Sequence, residues 1–309
     1  MSRALTSIAE TSMTAKISIV TVNYNNAALL IEVLDRTLDI LSSYPVEVIV
    51  VDNGSPDDSF EILKSYYAKS DRVNVIASGR NGGFGFGCNA GAAVATTDIL
   101  WFLNSDAWVS STEGLDDAVN LLQNTTVGLV GTSVLLDNAE PTPQGGSDMT
   151  FSYFLLSSFR PGALFRKIPL SVKRLIVPLL RAMPGHISTY ADGYQSAHRS
   201  EIFECRGIGG ASFFVRRGLY DKLNGFDEDF FLYDEDGDFC LRTLSSGCKN
   251  YVVPSIKVMT YPSATTSKVK SIELKKIKRH SRLLLISKHF FGIQAIVLNL
   301  VTRLTWRLL

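Results

Sequence analysis

The chain has 309 residues but only four cysteines, and no two of them stand in a C-x-x-C pair. Cys88, Cys205, Cys240 and Cys248 are too scattered for a disulfide framework or a zinc site, and read as reduced core thiols of a cytosolic protein. The first residues lack the apolar stretch of a signal peptide, and no window reaches the uninterrupted apolar length of a membrane span. Net charge is only +1, so no global basic field points to a nucleic-acid partner. Glycine is missing from the first turn, Asn23-Tyr24-Asn25-Asn26, where a dinucleotide fingerprint would need it. The G-x-G-x-x-A spacing from Gly85 to Ala90 comes too late in the chain for that role, and its glycines serve close helix packing instead. What remains is a chain 46% hydrophobic, enough for one large domain with or without an appendage.

The organising stretch is Trp101-Phe102-Leu103-Asn104-Ser105-Asp106. An apolar run from Ile99 to Leu103 reads as a buried strand. Its polar end would emerge at the carboxyl edge of a sheet, where open α/β folds bind ligands. There Asp106 offers hard oxygen to Mg²⁺ or Mn²⁺, and Asn104 can add a carbonyl oxygen.

Strands and helices alternate on either side of this stretch. Ile17–Val22 is a strand ending in Asn23, and a helix capped by Asn25 or Asn26 should run to about Ser42. Val46–Val51 is a strand ending in Asp52-Asn53-Gly54-Ser55, followed by a helix from about Pro56 with acids in its first turn. Val73–Ala77 is a third strand, Arg80-Asn81-Gly82-Gly83 a turn, and Phe84–Ala95 a small-residue helix. A helix near Glu113–Gln123 and a strand at Val127–Val134 complete this half. The alternation predicts an α/β fold with a parallel, doubly wound sheet. Polar clusters after the first, second and fourth strands would then share one edge.

Residues 1 to 15 are expected to be a flexible N-terminus and 137 to 204 a variable insert, with short helices at Phe151–Phe159 and Val172–Met183. Order returns with a Gly turn and strand, Gly207–Val215. Seven acids then interleave with aromatics from Gly225 to Asp238. Asp234 or Glu235 should open a helix through Leu244, its carboxylates held at the positive end. Within this segment Asp229 reads as solvated and Asp238 as a helix-surface charge, while Arg206 or Arg242 could pair with the acids. Tyr251–Val258 reads as the closing strand. Residues 266 to 309 are expected to form a C-terminal helical segment, a basic helix and then an apolar one. The basic stretch Lys268–Arg282 contains one acid, Glu273, and is weighed evenly as a solvated face and as a membrane-surface element.

Taken in order, Val20-Thr21-Val22-Asn23-Tyr24-Asn25, Val50-Val51-Asp52-Asn53-Gly54-Ser55, Arg80-Asn81-Gly82-Gly83-Phe84 with Asn89, Leu103-Asn104-Ser105-Asp106, and Gly225-Phe226-Asp227-Glu228 through Glu235-Asp236 and Leu241-Arg242 resemble the family 2 glycosyltransferases, especially the rhamnosyltransferase-like branch. The resemblance covers about residues 16 to 260. It implies the GT-A fold, a mostly parallel central sheet flanked by helices, with a catalytic domain over 16–265.

The resemblance also implies roles. Thr21, Asn23 and Tyr24 match the nucleotide-binding edge, and Asp52 the acid that contacts the base or ribose. Arg80, Asn81 and Gly82, with Asn89 following, match the loop beside the diphosphate and sugar. Asn104, Ser105 and Asp106 match a D-x-D-like motif, with Asp106 the ligand of Mg²⁺ or Mn²⁺. Asp236 matches a general base and Glu235 its neighbour. The implied reaction is inverting: a sugar leaves a nucleotide diphosphate, the cation neutralises the leaving group, and a carboxylate takes the acceptor's proton. L-Rhamnose from dTDP-rhamnose is the first expectation for the donor and a UDP-sugar the second. The acceptor is expected to be a surface glycan on a lipid carrier, met at the cytoplasmic membrane face, and a homo-oligomer is compatible with the sequence. The family's histidine after the closing strand is replaced by Thr260 and Tyr261. The rival readings are a nucleotidyltransferase and a non-catalytic glycan- or nucleotide-binding scaffold.

Overall fold

The computed structural model describes residues 17–142, 149–158, 199–261 and 271–305. The expected flexible terminus and the helix at Val172–Met183 lie outside these residues. Strands β1 (Ile17–Asn23), β2 (Val46–Asp52), β3 (Val73–Ala77) and β4 (Ile99–Leu103) run parallel in the order β3-β2-β1-β4. Every residue of β1 and β4 is buried, which is why both read as near-continuous apolar runs rather than alternating ones. The crossovers are α1 (Ala27–Ile40), α2 (Ser59–Tyr66) and α3 (Phe84–Val94). α3 sits close on the sheet because a Cβ on Gly91 would run into Val20 and Val51.

Beyond β4 the pairing changes. β8 (Ser212–Arg216) inserts antiparallel between β4 and β6 (Val127–Leu136), and β9 (Lys249–Thr260) lies parallel to β6. Two reversals cancel, so β6 and β9 point the same way as β1 to β4 and the sheet is mostly parallel in direction. β5 (Ala107–Ser111) and β7 (Phe203–Cys205) pair antiparallel with β9. Neither short strand is evident from sequence, nor is α6 (Arg217–Lys222). The sequence does foretell α4 (Leu115–Gln123), α5 (Phe151–Ser158), α7 (Glu235–Ser245), α8 (Ser271–His289) and α9 (Gly292–Thr305).

Each face of the sheet has its own core. One packs Leu30, Val33, Leu34, Leu63, Leu115 and Leu122 against Trp101 and Phe214. The other gathers Phe102, Phe213, Tyr220, Phe226 and Phe239 with Cys88 and Cys240. Phe102 and Phe226 meet edge to face at 5.3 Å between centroids, and Phe226 and Phe239 lie 5.1 Å apart. Burying one such side chain contributes roughly 1.5–3 kcal/mol. This aromatic cluster therefore anchors the start of the acidic segment 225–238 to β4 and β8. Among the described residues no helix is long and apolar enough to cross a membrane.

Candidate active site

The carboxyl ends of β1 and β2 meet in register, Asn23 beside Asp52. Asn23 Nδ2 donates to Asp52 Oδ2 at 2.9 Å. The same carboxylate accepts from the Ser55 backbone N–H at 3.0 Å and from Ser55 Oγ at 2.6 Å. Ser55 Oγ in turn accepts from the Asn25 N–H at 2.8 Å, fixing the loop after β1. Asn23 and Thr21 are both buried on one face of β1, and Asn23 Oδ1 and Thr21 Oγ1 have no protein partner. An orphaned buried acceptor is costly unless a ligand meets it. Tyr24 follows in the loop, 40% exposed.

Asn53 carries the edge onward. Its Nδ2 donates to the Gly83 carbonyl at 2.9 Å and to Asn81 Oδ1 at 3.3 Å. Asn81 Oδ1 also accepts from the Gly83 N–H, at 3.2 Å. Arg80 is exposed, its guanidinium 4.2 Å from the Phe86 ring centre, and Gly82 is buried against the same ring. The Phe84 N–H then donates to the Phe231 carbonyl at 3.0 Å, tying this loop to the acidic segment. At the end of that segment Asp236 accepts from the Gly210 N–H at 2.8 Å and from the Gly237 N–H at 2.8 Å. Next to Gly210, the Ala211 carbonyl accepts from the Asn104 N–H at 3.0 Å. Asn104 stands at the end of β4, which pairs with β1. Hydrogen bonds, short chain connections and the pairing of β1 with β4 thus link Asn23, Asp52, Asn53, Asn81, Phe84, Asp236 and Asn104 around one sheet edge.

Ser105 and Asp106 are buried just past β4. The Asp106 carbonyl accepts from the Tyr261 N–H at 3.0 Å and Thr260 Oγ1 at 3.2 Å, so the end of β9 is stitched to the same loop. The Tyr261 side chain turns away to Glu32 Oε1 at 3.0 Å and packs on Trp108, 4.9 Å between centroids. Among the described residues no three His, Cys, Asp or Glu side chains form a metal cluster. One carboxylate and one amide oxygen still fit Mg²⁺ or Mn²⁺. Mg²⁺ in particular commonly takes one or two protein carboxylates and completes its shell with substrate phosphate and water.

Two expectations need correction. Asn89 was expected to touch the donor, but its carboxamide is fully used inside the protein. It donates to the Phe226 carbonyl and Glu228, and accepts from Tyr220 OH and the Phe226 N–H. Four bonds exhaust an amide, so Asn89 holds the 225–228 turn. Asp238 is no surface charge: it is 1% exposed, bridged to Arg242 at 2.7 Å and His289 at 2.7 Å.

The acids at the start of α7 differ by environment. Burial pushes the Glu235 carboxyl well above its ordinary value, helped by Asp236 and Asp234, and its Oε2 has no partner. Asp236 is half-buried; burial and Asp234 raise it, while the Gly210 and Gly237 N–H groups oppose the rise. Asp238 goes the other way: burial pushes it up, but His289 and Arg242 together outweigh that and lower it. Sequence reasoning missed the source of much of this order, the face of α8. The alternation of acids with Lys288 and Arg282 far downstream gives no local signal of pairing.

The sequence profile described as "Glycosyl transferase family 2" matches residues 18–175. An N-acetylglucosaminyl-diphospho-decaprenol L-rhamnosyltransferase of Mycobacterium tuberculosis is 27% identical over 284 residues, 90% of this chain and 86% of its own. A poly(ribitol-phosphate) beta-glucosyltransferase of Bacillus spizizenii is 36% identical over 98 residues, 31% of this chain and 16% of its own. Among solved structures, the mannosyltransferase PcManGT from Pyrobaculum calidifontis with GDP-Man and Mn²⁺ superposes with a TM-score of 0.56 at 16% identity, covering 94% of this chain and 70% of its own. GalNAc-T7 with UDP, GalNAc and Mn²⁺ gives 0.58 at 17% identity, covering 86% and 47%. At such identities the structural likeness speaks for the fold.

Proposed function

The chain belongs to glycosyl transferase family 2, a transferase of sugar from a nucleotide donor on the GT-A fold, and we propose that it works by inversion with Asp236 as base. Membership of that family sets aside the nucleotidyltransferase and scaffold readings. The observation that supports the proposal is the set of hydrogen bonds and chain connections that links Asp52, Asn104 and Asp236 around one sheet edge.

In this reading Asn23 and Thr21 use their unpartnered oxygens on the nucleoside, with Asp52 holding Asn23 in place and Tyr24 alongside. Arg80, Asn81 and Gly82 face the diphosphate and sugar. Asp106, with Asn104 and Ser105 beside it, would hold the divalent cation. That cation, when bound, neutralises charge developing on the leaving diphosphate. Asp236, raised above the ordinary carboxylate range, takes the proton of the acceptor hydroxyl as its oxygen attacks the anomeric carbon. The bond to the diphosphate breaks on the opposite face, so one displacement inverts the centre. Glu235, buried beside Asp236, is its neighbour in this reading rather than the group that meets the acceptor.

The relative spanning most of the chain acts, by its name, on a diphospho-decaprenol acceptor. It supports L-rhamnose as the sugar and a lipid-linked glycan as the acceptor; in our reading the donor is dTDP-L-rhamnose or a UDP-sugar and the acceptor is met at the inner membrane face. We assign that encounter to α9 together with the basic residues beside it. Of the basic stretch, Arg282 is turned inward to Asp234 and Lys278 lies over Tyr233. On α9, however, Ile293, Ile296, Leu300 and Leu304 are each more than half exposed, opposite buried Leu298 and Thr302. A groove of about 650 Å³ between α8 and α9 is edged by Ile296, Leu300, His280 and Arg303. An apolar stripe with cationic neighbours suits an anionic leaflet. Replacing Ile296 and Leu300 with Asp should abolish sedimentation with phosphatidylglycerol vesicles; unchanged binding excludes this face.

The reaction is tested by screening the purified protein with Mn²⁺ against sugar nucleotides for thermal stabilisation, then assaying transfer with the donors that bind. Stabilisation by a pyrimidine diphospho-sugar and transfer with inverted stereochemistry are expected. Retention of configuration would exclude the assigned mechanism.

A further inference from the structure

The acidic segment is not self-supporting. One face of α8 pins it at four points. Ser281 Oγ donates to the Leu232 carbonyl at 2.8 Å. Arg282 grips both carboxylate oxygens of Asp234, each at 2.8 Å. Lys288 reaches Asp227 at 2.6 Å and Asp229 at 2.8 Å, and His289 Nε2 lies 2.7 Å from Asp238 Oδ1. The contacts recur after seven residues, about two turns, so they share a face. α8 lies outside the part of the chain that the family profile matches.

The Arg282 contact bears on the reaction. Tyr233 and Asp234 are consecutive non-glycine residues with φ of 69° and 63°. Such left-handed backbone persists only where the surroundings over-determine it. Asp234 is also the residue from which α7 starts, and Asp236 is two positions on. We propose that Arg282 is a positioning residue: by its bidentate hold on Asp234 it fixes the left-handed turn and so aims the Asp236 carboxylate. The proposal rests on the reading of Asp236 as base.

Arg282 has an electrostatic role as well. Among the described residues, the charged and titratable groups that act on Asp236 are Asp234 and Glu235 beside it, Cys240 one turn on and Arg282 from α8. Asp234 pushes the Asp236 proton affinity up, and Arg282 offsets Asp234. Lysine cannot reproduce the two-pronged hold, because an ammonium has no planar fork.

The test uses Arg282→Met, Arg282→Lys and the double variant Arg282→Met/Asp234→Asn in the full chain with Mn²⁺, beside Asp236→Asn. Transfer kcat, donor KM and the pH dependence of kcat/KM are measured. For Arg282→Met, kcat should fall about 100-fold, the scale of a small misplacement of a reacting group, with donor KM little changed. The acid limb of kcat/KM should move up by about one pH unit as Asp234 loses its counter-charge. Arg282→Lys should restore the limb but only part of kcat. The double variant should restore the limb and not kcat. Wild-type kcat and limb in Arg282→Met overturn the proposal. So does a loss that tracks falling Tm and disappears on cooling, since that marks general stability alone. Should Arg282→Met not fold, Arg282→Lys decides: full wild-type kcat overturns the proposal. Turnover by Asp236→Asn overturns the base reading instead, whatever the Arg282 variants do.

Discussion

Replacing Asp52 with Asn changes one atom and one charge, and its consequences can be followed bond by bond. Asp52 is 2% exposed and accepts three hydrogen bonds, from Asn23 Nδ2, the Ser55 N–H and Ser55 Oγ. The new amide cannot put its NH₂ where Oδ1 was, because the Ser55 N–H is fixed by the backbone. It must put it where Oδ2 was, facing Asn23 Nδ2. The relief is for Asn23 to turn its own carboxamide over, while the Ser55 hydroxyl rotates to accept. The unpartnered Asn23 Oδ1 would then be consumed, and an N–H would stand in its place. A donor base that offers an N–H to Asn23 would meet another N–H. Leaving such a pair unmade in a buried site costs about 1–3 kcal/mol. That corresponds to roughly 5- to 150-fold weaker donor binding, since about 1.4 kcal/mol is tenfold. Calorimetric titration of donor nucleotide with Mn²⁺ should show this loss, with kcat at saturating donor changed far less. Binding within twofold of wild type would refute the hydrogen-bond assignment.

Other perturbations probe this edge and its supports. Gly83 has φ of 96°, and a Cβ there would overlap the Phe231 carbonyl. Gly83→Ala should therefore lower stability by more than about 1 kcal/mol in urea unfolding and depress transfer even where the protein stays folded. Asp238→Ala leaves His289 and Arg242 without their buried acceptor and should cost about 3–5 kcal/mol at pH 7. Because Asp238 is lowered in the fold, its stabilisation is complete above the ordinary carboxylate value of about 3.9 and fades as pH falls through its lower folded value. The stability gap between wild type and variant should accordingly shrink in unfolding experiments run at pH 3. Asp236, raised by burial and by Asp234, should place the acid limb of kcat/KM above about 3.9.

The parallel half of the fold was legible because β1, β2 and β4 are buried on both faces and α1 keeps its apolar residues on one helical face. The pieces that escaped are short and set by tertiary pairing. β5 follows Asp106 at once and exists because β9 is there to pair with it. β7 has three residues. The candidate site was legible as polar residues at strand ends, since any parallel sheet gathers those ends. The state of each side chain was not. Nothing local distinguishes Asn89, whose amide is exhausted by Tyr220, Phe226 and Glu228, from Asn23, whose Oδ1 has no partner. Nor does spacing reveal that Asp238 meets a histidine 51 positions away. The basic character of α8 suggested a solvated or lipid-facing helix, whereas Arg282 and Lys288 are spent on the acidic segment.

The most direct test is to measure donor binding and transfer separately in Asp106→Ala and Asp236→Asn. If one edge holds cation, donor and base, Asp106→Ala should lose Mn²⁺-dependent donor binding and transfer together. Asp236→Asn should bind donor as wild type does while transfer collapses. Undiminished transfer by Asp236→Asn, or donor binding by Asp106→Ala with wild-type dependence on Mn²⁺, would contradict the account.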